Sequence, residues 1–131
     1  MSKLNKGAIL ILFVIAYLCY KLNRHITQTS TPSLKISVAE ARARRFGLII
    51  DVRTPKEREL LGYYPESIPI SINSLVTEVP LDISSKSTNI LVYSNGDNRA
   101  QIASEIIYNM GYYNVKYITK TYYSLMPGSS E

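Results

Sequence analysis

The segment NILVYSNGDNRAQIASEIIYNMG, residues 89–111, decides the fold of this chain. It opens on a short, mostly apolar run that is typical of a strand buried on both faces. The polar loop SNGDNR follows, and the apolar residues beyond it recur at the spacing of an amphipathic helix, which Gly111 ends. A buried strand that leads through a short loop into a helix is the repeating unit of a parallel α/β fold, so we expect that class.

Further strands are predicted on both sides of this segment. LIIDV, residues 48–52, is a second continuous apolar run and indicates another buried strand. Weaker strands are predicted over residues 34–36, 68–72 and 114–118. Pro69 cannot donate a backbone hydrogen bond, so its strand is expected at an edge of the sheet.

Two short helices separate these strands. Ser37 and Glu40 form a capping box that predicts a helix over residues 38–45, and Pro55 begins one or two further helical turns. The order of elements predicts a small α/β domain over residues 34–126, with a mainly parallel sheet flanked by helices and a tail at 127–131.

The N-terminal segment has a different composition. Residues 7–20 carry no charge, amide or proline, and lysines lie on both sides. Counted from Leu4 to Leu22, the stretch is nineteen residues, or about 28 Å in a helix, close to a bilayer core of about 30 Å. A cleaved signal peptide and a buried helix are the alternatives. We expect a flank at 1–6, a transmembrane helix at 7–22 and a polar tether at 23–33.

This segment predicts a single-pass membrane protein with an N-terminal anchor in the lipid bilayer. The sequence does not specify the membrane, viral or cellular, or the side on which the domain lies. The segment also accounts for the net charge of +5, which comes from fifteen basic and ten acidic residues. Four basic residues flank the apolar run, so eleven remain against ten acidic ones from His25 onward. A nearly neutral domain excludes nucleic acid as a partner.

Cysteine and histidine are scarce. Cys19, the single cysteine, lies at the end of the predicted transmembrane helix, and His25, the single histidine, lies in the predicted tether. One cysteine excludes an internal disulfide and a multi-cysteine metal centre. We therefore expect neither a metal site nor a cofactor.

Two strand ends carry the candidate site. Ligands of parallel α/β sheets bind at the carboxyl ends of the strands. There Asp51 and Arg53 follow one predicted strand, and a six-residue loop follows another. Backbone N–H groups before a helix favour anions, so the loop is a candidate anion site. It consists of Ser94, Asn95, Gly96, Asp97, Asn98 and Arg99. Alternatively, Arg99 pairs with Asp97 or Asp51, and Asp51 with Arg53, in purely structural ion pairs.

The strand, loop and helix together resemble the active-site segment of the rhodanese family, in which a cysteine, four residues and an arginine follow a buried strand. IIDVRTPKERELLGYYPESIPIS, residues 49–71, is similar to the family's DVR-T-PEE…GHIPGAINIP segment. GYYNV, residues 111–115, is similar to its G-Y-x-N-V turn. The resemblance covers residues 34–125 and implies a rhodanese-like fold.

The departures from the family pattern concern the chemistry. Ser94 stands at the family's nucleophile position, where a cysteine carries sulfur as a persulfide. A serine hydroxyl forms no persulfide, and no histidine or lysine in the loop activates it, so no residue is assigned as catalytic. Lys120-Thr121 replaces the family's late Gly-Gly pair, and Leu125 replaces its tryptophan.

The resemblance and its departures imply a membrane-anchored, catalytically inactive rhodanese-like domain that acts as a binding or scaffolding module. A protein partner is expected, and Tyr122 and Tyr123 would suit such an interface if exposed. The alternative is an oxyanion-binding enzyme, related to sulfurtransferases or phosphatases. It would bind a small anion at Ser94 and Arg99 or use a thiol supplied by a partner.

Overall fold

The computed structural model describes residues 5–29 and 32–129. The chain divides into two compact units, with the boundary between Ser33 and Leu34. The first contains helix α1, Lys6–Thr29, whose first turn is capped by Asn5 through a 2.7 Å hydrogen bond from the Gly7 N–H. The helix therefore continues past residue 22 into the predicted tether. Parts of the predicted flank, tether and tail (residues 1–4, 30–31 and 130–131) lie outside the described residues.

The predicted transmembrane helix over residues 7–22 is wrong. Within residues 5–29 and 32–129, no helix is long and apolar enough to cross a membrane. The uninterrupted apolar run, Gly7 to Tyr20, has fourteen residues and spans about 21 Å, against about 30 Å for a bilayer core. The longer count included Lys6 and Lys21 within the span. The predicted single-pass membrane localisation rested on that count and is also wrong.

The second unit is a four-stranded parallel sheet with helices on both faces. Its strands are β1 (Leu48–Asp51), β2 (Ile68–Pro69), β3 (Ile90–Tyr93) and β4 (Val115–Tyr117), in the spatial order β2-β1-β3-β4. Its helices are α2 (Val38–Ala43), α3 (Pro55–Leu61), α4 (Leu75–Asp82) and α5 (Arg99–Asn109), and 3-10 turns span Ile72–Ser74 and Tyr122–Leu125. The predicted small α/β domain with a parallel sheet is confirmed.

The central strands bury both faces of the sheet. Alternate residues of β1 and β3 point to opposite sides, so Ile50 and Val92 join one core cluster while Ile49 and Leu91 join the other. The larger cluster packs against α4 and α5 and includes the fully buried Tyr112. The smaller one lies under α2 and the C-terminal 3-10 turn. This two-sided burial explains the continuous apolar runs of the two strands.

Several elements differ from the predicted ones. The predicted strand at 34–36 is reduced to one parallel bridge between Lys35 and Tyr117. The edge strand β2 is limited to Ile68 and Pro69, although the Ile70 N–H still donates to the Asp51 carbonyl at 3.0 Å. Helix α2 ends at Ala43 because Arg44 adopts an extended conformation. Helix α4 was not predicted, and its Pro80 argues against a helix in the sequence.

Candidate functional site

The carboxyl ends of β1 and β3 lie side by side. The parallel register pairs Asp51 with Tyr93, and the Val52 N–H donates to the Tyr93 carbonyl at 3.2 Å. The residues that follow β1 and those that follow β3 therefore lie at the same edge of the sheet. This pairing brings Asp51 and Arg53 next to the loop that starts at Ser94, as the sequence predicts.

Asp51 is the centre of a buried polar network. Its carboxylate is fully buried and accepts hydrogen bonds from Arg53 Nε at 2.9 Å and Arg53 Nη2 at 2.7 Å. Arg58 Nη1 and the Tyr93 hydroxyl add bonds of 3.1 Å each. Burial favours the neutral acid, but the hydrogen bonds and charge of Arg53 outweigh it and hold the pKa of Asp51 below its usual value. Asp51 is therefore ionised and fully paired.

Arg53 connects this carboxylate to three other parts of the chain. It is 3 % exposed, and it donates to the Gly62 carbonyl at 2.7 Å and to the Asn95 side chain at 3.1 Å. Its guanidinium lies 5.5 Å from the ring centre of Tyr93 and 5.6 Å from that of Tyr122. Four of its five N–H donors are thus directed inside the domain or along the loop.

Arg99, at the start of α5, is bound by two carboxylates. Its Nη1 and Nη2 atoms each lie 2.7 Å from an oxygen of Glu57, and Nη2 lies 2.8 Å from Asp97. Glu57 is held in place because it closes the capping box of α3 with Thr54. The Asn95 amide also donates to Glu57 at 2.6 Å. The pairing joins the first turn of α3 to the first turn of α5.

The ion pairs shift the pKa values of these groups. The bidentate hydrogen bonds from Arg99, with a backbone bond from Thr54, lower the pKa of Glu57 from 4.5 to about 2. Arg99 also lowers the pKa of Asp97, and Glu57 and then Asp97 raise the pKa of Arg99. All three groups are charged at neutral pH.

The charges at the site balance. Arg53, Arg58 and Arg99 face Asp51, Glu57 and Asp97, and every one of the six lies within 3.1 Å of a partner of opposite sign. Three positive charges and three negative charges leave no net charge. Arg99 is therefore not a free cation for an anionic ligand.

Ser94 is the exception to this pairing. The residue is 1 % exposed, and its Oγ is the buried side-chain polar atom with no hydrogen-bond partner in the described part of the chain. The hydroxyl is close enough to Asp97 to help lower the pKa of that carboxyl, after the larger effect of Arg99, but the two groups do not reach hydrogen-bond geometry. An orphaned buried hydroxyl is uncommon, so Ser94 has hydrogen-bonding capacity that no described residue uses.

Backbone N–H groups of the loop also lack hydrogen-bond partners in the described part of the chain. The N–H groups of residues 95–98 donate no hydrogen bond to any residue that the structure describes. Gly96 has a φ of +84°, and a Cβ there would lie 3.2 Å from the Thr119 carbonyl, so the turn requires glycine. N–H groups that lie just before a helix, as these lie before α5, favour a hydrogen-bond acceptor, and the backbone of residues 95–98 is called the cradle below.

Comparison with known proteins decides the family. The model of the rhodanese-like domain matches residues 36–125. The chain belongs to the rhodanese-like domain family. No curated protein shows significant similarity to it.

Solved structures agree in fold. A single-domain sulfurtransferase from Saccharomyces cerevisiae has 20 % identity and a TM-score of 0.55, covering 73 % of this chain and 90 % of its own. The human single-domain sulfurtransferase has 17 % identity and a TM-score of 0.57, with 76 % and 100 % covered. A Helicobacter pylori protein has 24 % identity and a TM-score of 0.58, with 70 % and 81 % covered. The chain is thus a rhodanese-like domain related in fold to single-domain sulfurtransferases.

A hollow of about 410 Å³ lies beside the loop of this rhodanese-like domain. Arg53 and Asn95 line its polar side, and Leu61, Tyr122 and Tyr123 line its apolar side. Tyr123 is 66 % exposed, whereas Tyr122 packs against Arg53. The hollow is small, and two of its lining side chains are aromatic. Within residues 5–29 and 32–129, no group of three or more His, Cys, Asp or Glu side chains is arranged to hold a metal ion.

The structure distinguishes between the pairings that the sequence left open. Arg99 pairs with Asp97 but not with Asp51, because Arg53 and Arg58 occupy that carboxylate. The sequence did not single out Glu57, although it has the strongest contact with Arg99. A TPKE capping box in the segment that resembles the family, just before a predicted helix, was the available signal. It fixes where Glu57 lies but not which cation it meets.

Proposed function

We propose that this rhodanese-like domain has no sulfurtransferase activity of its own and serves as a binding module. The observation that carries the proposal is Ser94, which follows β3 where the family resemblance expects the cysteine nucleophile. Its Oγ has no hydrogen-bond partner among the described residues that would take its proton, and an alkoxide does not form at neutral pH without one. Cys19, the single thiol of the chain, belongs to α1 and not to the unit that contains the loop.

The electrostatics of the loop support the same proposal. Thiosulfate carries two negative charges, and uncompensated positive charge favours its binding. Here Glu57 and Asp97 already hold Arg99, and the six side-chain charges of the site cancel. An incoming dianion would have to displace a carboxylate that is held at 2.7 Å. The site therefore favours a fixed structure over turnover of anions.

The test is thiocyanate formation from thiosulfate and cyanide, measured with the full chain. We expect the wild-type protein and Ser94→Ala to have the same background rate. Ser94→Cys, prepared in a Cys19→Ser background so that one thiol is present, should gain activity if the nucleophile alone is missing. Wild-type turnover above the Ser94→Ala control would refute the proposal. A matched Ser104→Cys variant places a thiol on α5 away from the loop and should show no gain.

A second candidate function is supported by the unpaired groups of the loop. The N–H groups of residues 95–98 and the Ser94 hydroxyl have no hydrogen-bond partner among the described residues, and such groups before a helix would suit a small oxyanion. In this candidate the loop binds the oxyanion for transfer, with a thiol supplied by a partner. Thiosulfate, phosphate and arsenate should then each raise the melting temperature of the full chain. If none of the three does so, this candidate is refuted and the binding module stands.

A further inference from the structure

A second concave site lies on the face of the sheet that α2 and the C-terminal 3-10 turn cover. It has a volume of about 600 Å³, and Ile49, Leu91 and Leu125 form its floor. These three side chains are at most 9 % exposed. Phe46 and Tyr64, both half-buried, form its walls. None of its lining residues belongs to the 94–99 loop, so this site is separate from the one described above.

The rim of this concavity, called the arginine groove below, is positively charged. Arg42, Arg44 and Arg45 line it, and Glu66 is the carboxylate among its lining residues. Arg44 is tied to Glu40 at 3.1 Å, but both side chains are about half exposed, so water weakens that pair. The rim therefore presents more positive than negative charge.

The other two arginines have no carboxylate partner among residues 5–29 and 32–129. Arg42 donates to the Ser129 carbonyl at 3.1 Å, a neutral partner. Neither Arg42 nor Arg45 lies within 4.0 Å of a carboxylate among the described residues. This contrasts with Arg53, Arg58 and Arg99, which are all paired with carboxylates. Among the arginines of the second unit, the two without a carboxylate partner in the described residues thus line this groove.

The basic rim and the apolar floor together favour a ligand that carries both carboxylates and an apolar group. Guanidinium groups bind carboxylates through paired, charge-assisted hydrogen bonds. The apolar floor gains free energy when an apolar side chain covers it. The three rim arginines branch from different positions over residues 42–45, so one carboxylate cannot engage all of them. Carboxylates spaced along a chain can do so.

We propose that the arginine groove binds an acidic peptide segment of a partner protein, with its carboxylates on the arginine rim and an apolar side chain on the floor. Arginine together with tyrosine and phenylalanine is the composition enriched at protein interfaces. The volume of about 600 Å³ suits a few side chains. The proposal does not depend on whether Ser94 takes part in catalysis, and it holds for an active or an inactive domain.

The experiment measures the binding of a fluorescent capped peptide with two glutamates on each side of a Leu-Phe pair to the full chain. We expect saturable binding, with amide shifts of the groove residues in ¹⁵N-labelled protein. Arg42→Glu/Arg45→Glu should weaken the affinity about tenfold or more, because opposite charges become like charges. The matched control is Lys35→Glu/Lys120→Glu, which changes the net charge equally at exposed residues outside the groove. It should alter the affinity less than about twofold.

Peptide variants test the two parts of the proposal. Replacing the Leu-Phe pair by two serines should weaken binding about tenfold, and replacing all glutamates by lysines should abolish it. Equal binding of the lysine peptide, or equal weakening by the two double variants, would overturn the proposal. Absence of saturable binding by the glutamate peptide would overturn it as well. If 4-phenylbutyrate binds as tightly as the peptide and competes with it, the groove is a small-carboxylate site and the assignment of a peptide is wrong.

Discussion

Removal of the Arg53 side chain tests whether the polar network holds the two strand ends together. Arg53→Met keeps the aliphatic stem and deletes the guanidinium. Asp51, which is fully buried, then loses bonds of 2.9 and 2.7 Å, and the Gly62 carbonyl loses its 2.7 Å donor. Breaking one half of a buried ion pair costs about 3–5 kcal/mol. Arg58 stays beside Asp51 at 3.1 Å, so we expect the lower end, about 3 kcal/mol.

Urea denaturation of the full chain, followed through its eleven tyrosines by near-ultraviolet circular dichroism, measures this loss. At about 1–2 kcal/mol per molar urea, the midpoint should fall by about 1.5–3 M. The matched control is Arg44→Met, which breaks an exposed pair of 3.1 Å with Glu40 and should cost at most about 0.5 kcal/mol.

A double-mutant cycle separates the pair from its surroundings. Asp51→Asn combined with Arg53→Met should be less destabilised than the sum of the two single changes, by about 2 kcal/mol, because the double variant leaves neither the Asp51 carboxylate nor the Arg53 guanidinium unpaired. A cost of less than about 1 kcal/mol for Arg53→Met, or strict additivity in the cycle, would show that this pair does not hold the strand ends. The reasoning on the site would then be refuted.

Three further predictions concern neighbouring groups. Because the pKa of Glu57 is lowered from 4.5 to about 2, its stabilising effect is complete above pH 4.5 and is lost as the pH falls toward 2. The melting temperature should fall across that window less steeply in Glu57→Gln, and parallel curves would contradict this. Gly62→Ala should cost about 1–2 kcal/mol in urea, since its Cβ would collide with the Tyr122 hydroxyl. Gly128→Ala, at a similar φ of +80° but in open space, should cost less, and equal costs would contradict the collision. Tyr93→Phe removes a buried hydroxyl with three hydrogen-bond partners and should lower stability by about 1–3 kcal/mol, so an unchanged midpoint would contradict the network.

The features that can be predicted from the sequence are those that depend on a short run of neighbouring residues. The run LIID of β1 and the run ILVY of β3 are apolar because both faces of the sheet are covered. Ser37 accepts the cap hydrogen bond from the Glu40 N–H, as predicted, although the Glu40 side chain pairs with Arg44 and does not complete the capping box. The meeting of Asp51 with the 94–99 loop follows from parallel pairing alone, since both follow neighbouring strands.

Features that depend on tertiary packing were not predictable in this way. Helix α4 forms around Leu75 and Val79, which are fully buried against the core, although Pro80 lacks the N–H that a helix interior uses. The bond between Glu57 and Arg99 joins residues 42 positions apart, and no local pattern encodes it. The transmembrane prediction failed because the predicted span was longer than the apolar run. The run itself has fourteen residues, and the longer count included the lysines at its two ends.

The position of Glu57 explains how a loop with free N–H groups can still disfavour anions. An oxyanion in the cradle would compete with Glu57 for Arg99, and the displaced carboxylate would keep its charge at neutral pH because its pKa is about 2. Its Thr54 capping bond also fixes it near the loop, so it would repel the anion from a short distance. The Glu57 carboxylate thus competes with an anionic ligand for Arg99 and repels it, whereas an uncharged ligand experiences neither effect. For the binding module that we propose, Ser94 and the N–H groups of residues 95–98 would therefore be better matched to an uncharged acceptor than to a dianionic substrate.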